Sequence, residues 1–258
     1  MSGEGGCTNC GKKSGCDHRK GAMFAAINEA LERLYPSHRF EQRNEEADLF
    51  DSGVVSTAHL AERLSERLGT LVLEVPPSAE EYCRHLYVLC LGRRPSLIEC
   101  LHGQVSAASC EPDGPDGMEE LYLRVSVSDL APFAAVQQVR LRAEVLNAVE
   151  GEGGASGASP PAGLQAAGLM IEETIRSGVF DPVLLPRYQR LVAVLVEEGL
   201  RNLDFGEIDE PPAGFDPGEH ATVHGVAPVV ANYLFYPQPC SSITTTVVPF
   251  SSPASEDD

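Results

Sequence analysis

Cys7, Cys10, Cys16 and His18 fall within twelve positions near the start of the chain, in the pattern C-x2-C-x5-C-x-H. Three thiols and an imidazole make a complete tetrahedral shell for Zn²⁺, so this cluster constrains its own segment more tightly than any other feature of the sequence. The C-x2-C step is followed by Gly11, which suits a tight turn with two thiolates aimed at one ion. Cys16 and His18 are the less comfortable pair, because positions two apart in an extended chain point to opposite faces. Cys100 and His102 repeat the C-x-H spacing and are the alternative source of a fourth ligand. The pattern predicts structural zinc on Cys7, Cys10, Cys16 and His18, with an iron–sulfur cluster as the other metal group that thiols of this kind hold. The same segment imitates a phosphate loop through Gly6, Gly11 and Lys12. Lys13 stands where Ser or Thr is needed for Mg²⁺, and no apolar strand precedes it, which excludes nucleotide binding there.

Charge narrows the partners. A formal charge of −19 repels phosphate backbones and anionic membranes, so the expected partners are proteins and not nucleic acid. The chain has no Trp and few aromatics, which removes the usual base-stacking platform. No apolar h-region follows Met1, and the longest apolar runs, 86–91 and 191–196, are too short to span a bilayer. These features predict a cytoplasmic protein with no membrane span, whose clustered cysteines bind metal and whose scattered ones pack inside.

Periodicity then sets out the elements. Phe24, Ile27, Leu31 and Leu34 share a helical face that ends at Pro36. Glu41, Glu45, Glu46, Asp48 and Asp51 follow as an acidic, solvated or partner-facing connection. Leu60, Leu64 and Leu68 mark a second helix closed by Gly69, and 70–75 alternates as a strand. Ser78 and Glu81 have capping-box spacing, which predicts a third helix carrying Tyr82, Leu86 and Leu89 and breaking at Gly92 and Pro95. Residues 121–128 alternate as a half-buried strand. Over 130–149 two periods compete; the richness in Ala, Leu, Gln, Arg and Glu favours a helix with Asp129 as its cap. Ala167, Ile171 and Ile175 predict a helix over 164–176, and Asp181-Pro182 starts another with Leu184, Tyr188, Leu191 and Leu195. Short β-prone runs, 233–236 and 243–248, sit in a proline-punctuated tail.

The fold class read from this order is α+β: a helix-rich core with a few strands, a short N-terminal Cys-rich metal knuckle, a flexible linker and a C-terminal helical pair with a Pro-rich tail. The corresponding segments are a knuckle over 1–20, a core over 21–149, a Gly/Ser/Pro linker over 150–163, the helical pair over 164–207 and a partly disordered tail over 208–258.

Other chemistry is weaker. Cys83, Cys90, Cys100 and Cys110 read as buried small hydrophobes, with a thiol nucleophile served by His85 or His102 as the sharper alternative. His220 and His224 have the i, i+4 spacing of metal ligands but are flanked by Gly and Pro, so they read as loop histidines. Arg84, Arg93 and Arg94 form a compact basic group if 78–92 is helical. No G-x-S-x-G nucleophile elbow occurs. These observations predict a non-enzymatic regulatory or adaptor protein that acts through protein–protein interactions, for example in a small GTPase or kinase system. The competing reading is a metal- or thiol-dependent enzyme or metallocluster assembly factor using the N-terminal Cys/His cluster.

Overall fold

Central strands buried on both sides organise the molecule around one mainly antiparallel sheet. The computed structural model describes residues 14–39, 42–44, 47, 59–75, 83–110, 117–147, 166–177, 181–212, 214–216, 228–235 and 241–250. Its helices are α1 (Ser14–Leu34), α2 (Leu60–Leu68), α3 (Leu97–Leu101), α4 (Leu185–Glu197), α5 (Phe205–Ile208) and α6 (Val230–Leu234). Its strands are β1 (Val72–Val75), β2 (Cys83–Leu91), β3 (Met118–Ser128), β4 (Phe133–Asn147), β5 (Ala166–Arg176), β6 (Arg201–Leu203) and β7 (Ser242–Pro249). The sheet runs β1-β2-β3-β4-β5-β7, all neighbours antiparallel, and β6 lies parallel to the first residues of β4.

The pairing register sorts side chains onto two faces. Leu86, Val88, Leu123, Val125, Val127, Ala134 and Val136 fall on the first face, under α2 and α4. α2 contributes Leu60 and Leu64, and α4 contributes Leu191, Val194 and Leu195. Arg63 Nε donates to Glu198 Oε2 at 2.7 Å and Arg67 reaches Glu197 and Glu198, which clamps the two helices together.

The second face has two apolar fields. At one end Cys83, Phe133 and Ala135 pack beneath α1 and α6. Tyr35 Oη donates to the Tyr233 carbonyl at 3.0 Å, and Ser128 Oγ donates to the Leu234 carbonyl at 2.5 Å, tying both helices to the sheet. At the other end Leu89, Tyr122, Val139, Leu141, Leu169 and Ile171 pack against α3 and the 3-10 turn at 107–110. Glu120 is buried there; it accepts from the Leu97 amide at 2.8 Å and from Tyr122 Oη, and so fixes the start of α3 to β3. Burial pushes its carboxyl above the usual carboxylate range, against the pull of those hydrogen bonds.

This sheet overturns the helix-rich core. Residues 83–91 form β2, not a third helix, and 133–147 form β4, not the helix expected over 130–149. Residues 166–176 form β5 between β4 and β7, so the expected C-terminal helical pair contains only its second helix, α4. The run at 233–236 was expected as a strand, yet 230–234 is helical, with Asn232 Oδ1 accepting from the Val229 amide at 2.8 Å. In β2 the physical reason is two-sided burial: residues 86–90 are covered on both faces and read as a continuous apolar run without alternation. Helices α2 and α4 and strands β1, β3 and β7 lie where the sequence pattern placed them, while α1 carries the expected apolar face but begins at Ser14, inside the segment read as a metal knuckle. Gly69 ends α2 at φ 67°, donating to the Ser65 carbonyl at 2.9 Å. The buried stripe of α1 is Ile27, Ala30, Leu31 and Leu34, leaving Phe24 at its exposed margin.

Candidate functional site

Between the two apolar fields of the second face runs a polar band, built by residues that the register places on one side of β2, β3, β4 and β5. His85 pairs with Ser126, and Tyr87 pairs with Arg124, which is itself opposite Gln137. His85 Nδ1 lies 3.1 Å from Ser126 Oγ, and Cys83 Sγ lies 3.9 and 3.8 Å from the two ring nitrogens. Arg124 Nε donates to Gln137 Oε1 at 3.0 Å, and the Gln137 amide donates to Ser177 Oγ at 3.0 Å. Tyr87 Oη donates to Glu173 Oε1 at 3.3 Å, and Thr244 Oγ1 donates to Glu173 Oε2 at 3.4 Å.

The electrostatics keep the His85 imidazole and the Tyr87 phenol of this band uncharged. Burial, then the Arg124 and His102 charges, push His85 down to about 3, so its imidazole is neutral across the physiological range. Burial and Glu173 push Tyr87 up to about 12, against Arg124. His102, at the exposed end of α3, is lowered by burial and partly held up by Glu173. The band thus links four strands by hydrogen bonds made among its own members, with one guanidinium and one carboxylate at its centre.

The sheet is finished differently beyond α4. On the first face of β4, β5 and β7, Gln138, Arg140, Arg142, Glu172, Thr174 and Arg176 surround a concavity of about 210 Å³, with Ile243 at its rim. Arg142 Nε donates to Glu119 Oε2 at 2.8 Å, and Arg140 lies 3.6 Å from the same carboxylate. β7 borders this surface with five consecutive exposed residues, and Ile243 and Val247 stand 70% and 56% exposed. Among the described residues, no strand pairs with the outer edge of β7.

The residues singled out by sequence distribute as follows. Cys7 and Cys10 lie outside the described residues, as do His220, His224, Ser78, Glu81 and the acidic positions 41, 45, 46, 48 and 51. Cys16 and His18 fall within α1, which begins at Ser14 and not after the cysteine segment. Among the described residues whose side chains are placed, no three His, Cys, Asp or Glu side chains gather as a metal site. Cys83, Cys90, Cys100 and Cys110 are buried and reduced. Cys83 and Cys90 do not share a face: seven positions is an odd number along a strand, so one points under α1 and the other under α2 and α4. The sequence pairing of Cys83 with His85 is brought together, because i and i+2 share a strand face, yet an imidazole held near 3 is too weak a base to activate a thiol. Cys100 is directed toward Cys110, whose thiol donates to the Ser96 carbonyl at 3.4 Å and is pushed up to about 12, chiefly by burial.

The basic group is dispersed. Arg84 at the start of β2 pairs with Asp129 at 2.8 Å and Glu74 at 3.3 Å, while Arg93 and Arg94 lie past the other end of the strand. The row formed by Arg140, Arg142 and Arg176 was missed in the sequence because these residues belong to β4 and β5, on both sides of the Gly/Ser/Pro stretch. The strand alternation at 139–145 was the available signal, since it puts 140 and 142 on the face opposite Val139 and Leu141. No known protein family, curated protein or solved structure matches this chain. Among the described residues, no helix is long and apolar enough to cross a membrane.

Proposed function

We propose that the chain is a cytosolic, non-enzymatic regulatory or adaptor protein that binds a protein partner on the uncovered face of β4, β5 and β7. The carrying observation is the concavity lined by Arg140, Arg142 and Arg176, a local row of guanidiniums on a chain of net charge −19. Guanidiniums recognise carboxylates through paired, charge-assisted hydrogen bonds and are enriched where proteins meet. Ile243 supplies an apolar rim to the same surface. The partner that fits is a protein segment bearing carboxylates beside an apolar residue. Structural Zn²⁺ on Cys7, Cys10, Cys16 and His18 belongs to this proposal as a support for the N-terminal segment, resting on the ligand spacing alone.

Quantitative affinity capture tests the reading. Wild type is compared with a variant carrying Arg140→Ala, Arg142→Ala and Arg176→Ala, after circular dichroism has shown that both are folded. The expected result is a defined set of proteins recovered by wild type and lost by the variant. Identical recovery by the two would overturn the assignment of this face.

A further inference from the structure

The outer edge of β7 differs from a protected edge in three ways. It is eight residues long, none of those residues is charged, and most are β-branched: Ser242, Ile243, Thr244, Thr245, Thr246, Val247, Val248 and Pro249. Edge strands of proteins that stay monomeric are blunted by short length, charge, proline or a covering element, because their unpaired amides and carbonyls are a template for another strand. Among the described residues the one such device at β7 is Pro249, at the terminal position.

We propose that β7 is a self-association edge, on which a second copy of this chain adds its own β7 antiparallel about a twofold axis at Thr245. The choice of a second copy rests on the strand's own pattern. With the axis at Thr245, Ile243 of one copy stands opposite Val247 of the other, and the reverse pair is made at the same time. Both residues lie on the face that carries Arg140 and Arg142, as the pairings Ile243 with Thr174 and Val247 with Met170 require. These are the two large apolar side chains that β7 leaves exposed, and this register covers both of them with each other. Thr245 meets its own counterpart, and Thr244 meets Thr246, so every central pair is of a kind that favours cross-strand contact. A shift of one residue would set Ile243 opposite Thr246 or Val248 and leave the apolar pair unmatched.

The dimer extends one sheet across two copies and leaves the arginine concavity of each on the same side. It uses the edge of the sheet where the partner reading uses the arginines of its face, and Ile243 is the residue that both share. A contact limited to one eight-residue strand is at the small end of specific interfaces, so association is reversible. The net charge of −19 opposes it, which makes the dimer tighter at high salt, where that repulsion is screened.

Sedimentation equilibrium of the full chain, with charge-swapped variants, tests this. Wild type is expected to show a monomer–dimer equilibrium whose dimer fraction rises with protein concentration and with NaCl. Ile243→Lys combined with Val247→Lys sets lysines opposite lysines in the proposed register and should weaken the dimer at least about tenfold. Ile243→Glu combined with Val247→Glu should do the same. An equimolar mixture of the two variants should recover a heterodimer, because every Lys then faces a Glu. Both substituted positions, 243 and 247, are exposed, and thermal melts confirm that the monomers remain folded. A wild type that stays monomeric up to high micromolar concentration and high salt overturns the proposal. So does a dimer indifferent to both variants, or a mixture that fails to associate. A wild type that dimerises but recovers the same proteins as its arginine variant strikes the proposed function alone; a wild type that shows arginine-dependent capture but stays monomeric strikes this inference alone.

Discussion

The two ends of the sheet are built on opposite principles. At the β1 end the last strand has four residues, is half-buried, and carries Glu74 in an ion pair with Arg84. α2, which precedes it in the chain, packs beside it, and the Arg63–Glu198 and Arg67–Glu198 pairs hold α2 onto α4 across the same face. At the β7 end the last strand is twice as long, uncharged and exposed. Among the described residues it is held by its ladder to β5 and by the packing of Val248 and Phe250 beneath the sheet beside α3. Among the described residues the same antiparallel ladder therefore ends once in charge and helix, and once in open backbone. An edge that is closed in this way serves stability, and one left open is available for recognition.

The contrast is broken most severely by matched truncations at the two ends. Leu64 is fully buried between α2 and the first face, so Leu64→Ala removes packing on both sides and leaves a cavity. The expected loss is about 2–5 kcal/mol. Val247→Ala, on the open edge, should change stability by no more than about 0.5 kcal/mol. Urea melts of the two variants measure the ratio directly. Comparable losses would mean that β7 is covered in solution, which is itself the signature of a dimer and would make the Val247 loss depend on protein concentration.

A smaller effect separates the ladder of β7 from its outer edge. Gly168 in β5 approaches β7 so closely that a Cβ there would sit 2.5 Å from the Val248 carbonyl oxygen and 3.0 Å from the Pro249 Cα. Both neighbours are backbone, so the strand must move to accommodate a methyl group. Gly168→Ala should cost about 1–3 kcal/mol as an overpacking change, and hydrogen exchange should localise the lost protection to β5 and β7. If β1 and β2 lose protection equally, the two ends are coupled more tightly than their packing implies.

How much of this was legible in the sequence depends on how many faces of each strand are buried. β3 was readable because Leu121, Leu123, Val125 and Val127 alternate with more polar neighbours. β2 was not, because 86–90 is buried on both sides and offers no period. β5 failed for an arithmetical reason: positions 167, 171 and 175 are four apart, a spacing that shares a face in a strand and in a helix alike. Leu169, buried beside Ile171, is the residue that separates the two, since i+2 belongs only to a strand. In β4 the alternation of 139–145 was visible, and helix-favouring composition outweighed it wrongly; tertiary pairing overrides propensity. The capping-box pattern occurs twice, and the structure forms it at Ser96 and Glu99, where the Ser96 amide donates to Glu99 Oε2 at 2.8 Å. Ser78 and Glu81 themselves lie outside the described residues. The arginine row and the polar band were illegible for a different reason. Each needs strand register, and register depends on partners that are distant in sequence.

The smallest effect concerns the polar band, which joins the two ends of the sheet through His85 on β2 and Glu173 on β5. Because the folded state holds His85 near 3 and the unfolded chain returns it to an ordinary histidine, only the unfolded state takes up a proton as pH falls below about 6.5. Stability from this group is therefore intact above pH 6.5, erodes through the window from 6.5 to 3, and loses no more once the folded imidazole also protonates. Between pH 7 and 5 the erosion should amount to roughly 1–2 kcal/mol, allowing for partial exposure of the ring. His85→Gln keeps a partner for Ser126 Oγ and cannot take up the proton. The variant is expected to be slightly less stable than wild type at pH 8 and to close that gap as pH falls, in urea melts run in parallel. A gap that stays constant with pH would show that the imidazole charges freely in the folded protein, and that the band is open to water at the β1 end as well as at the β7 end.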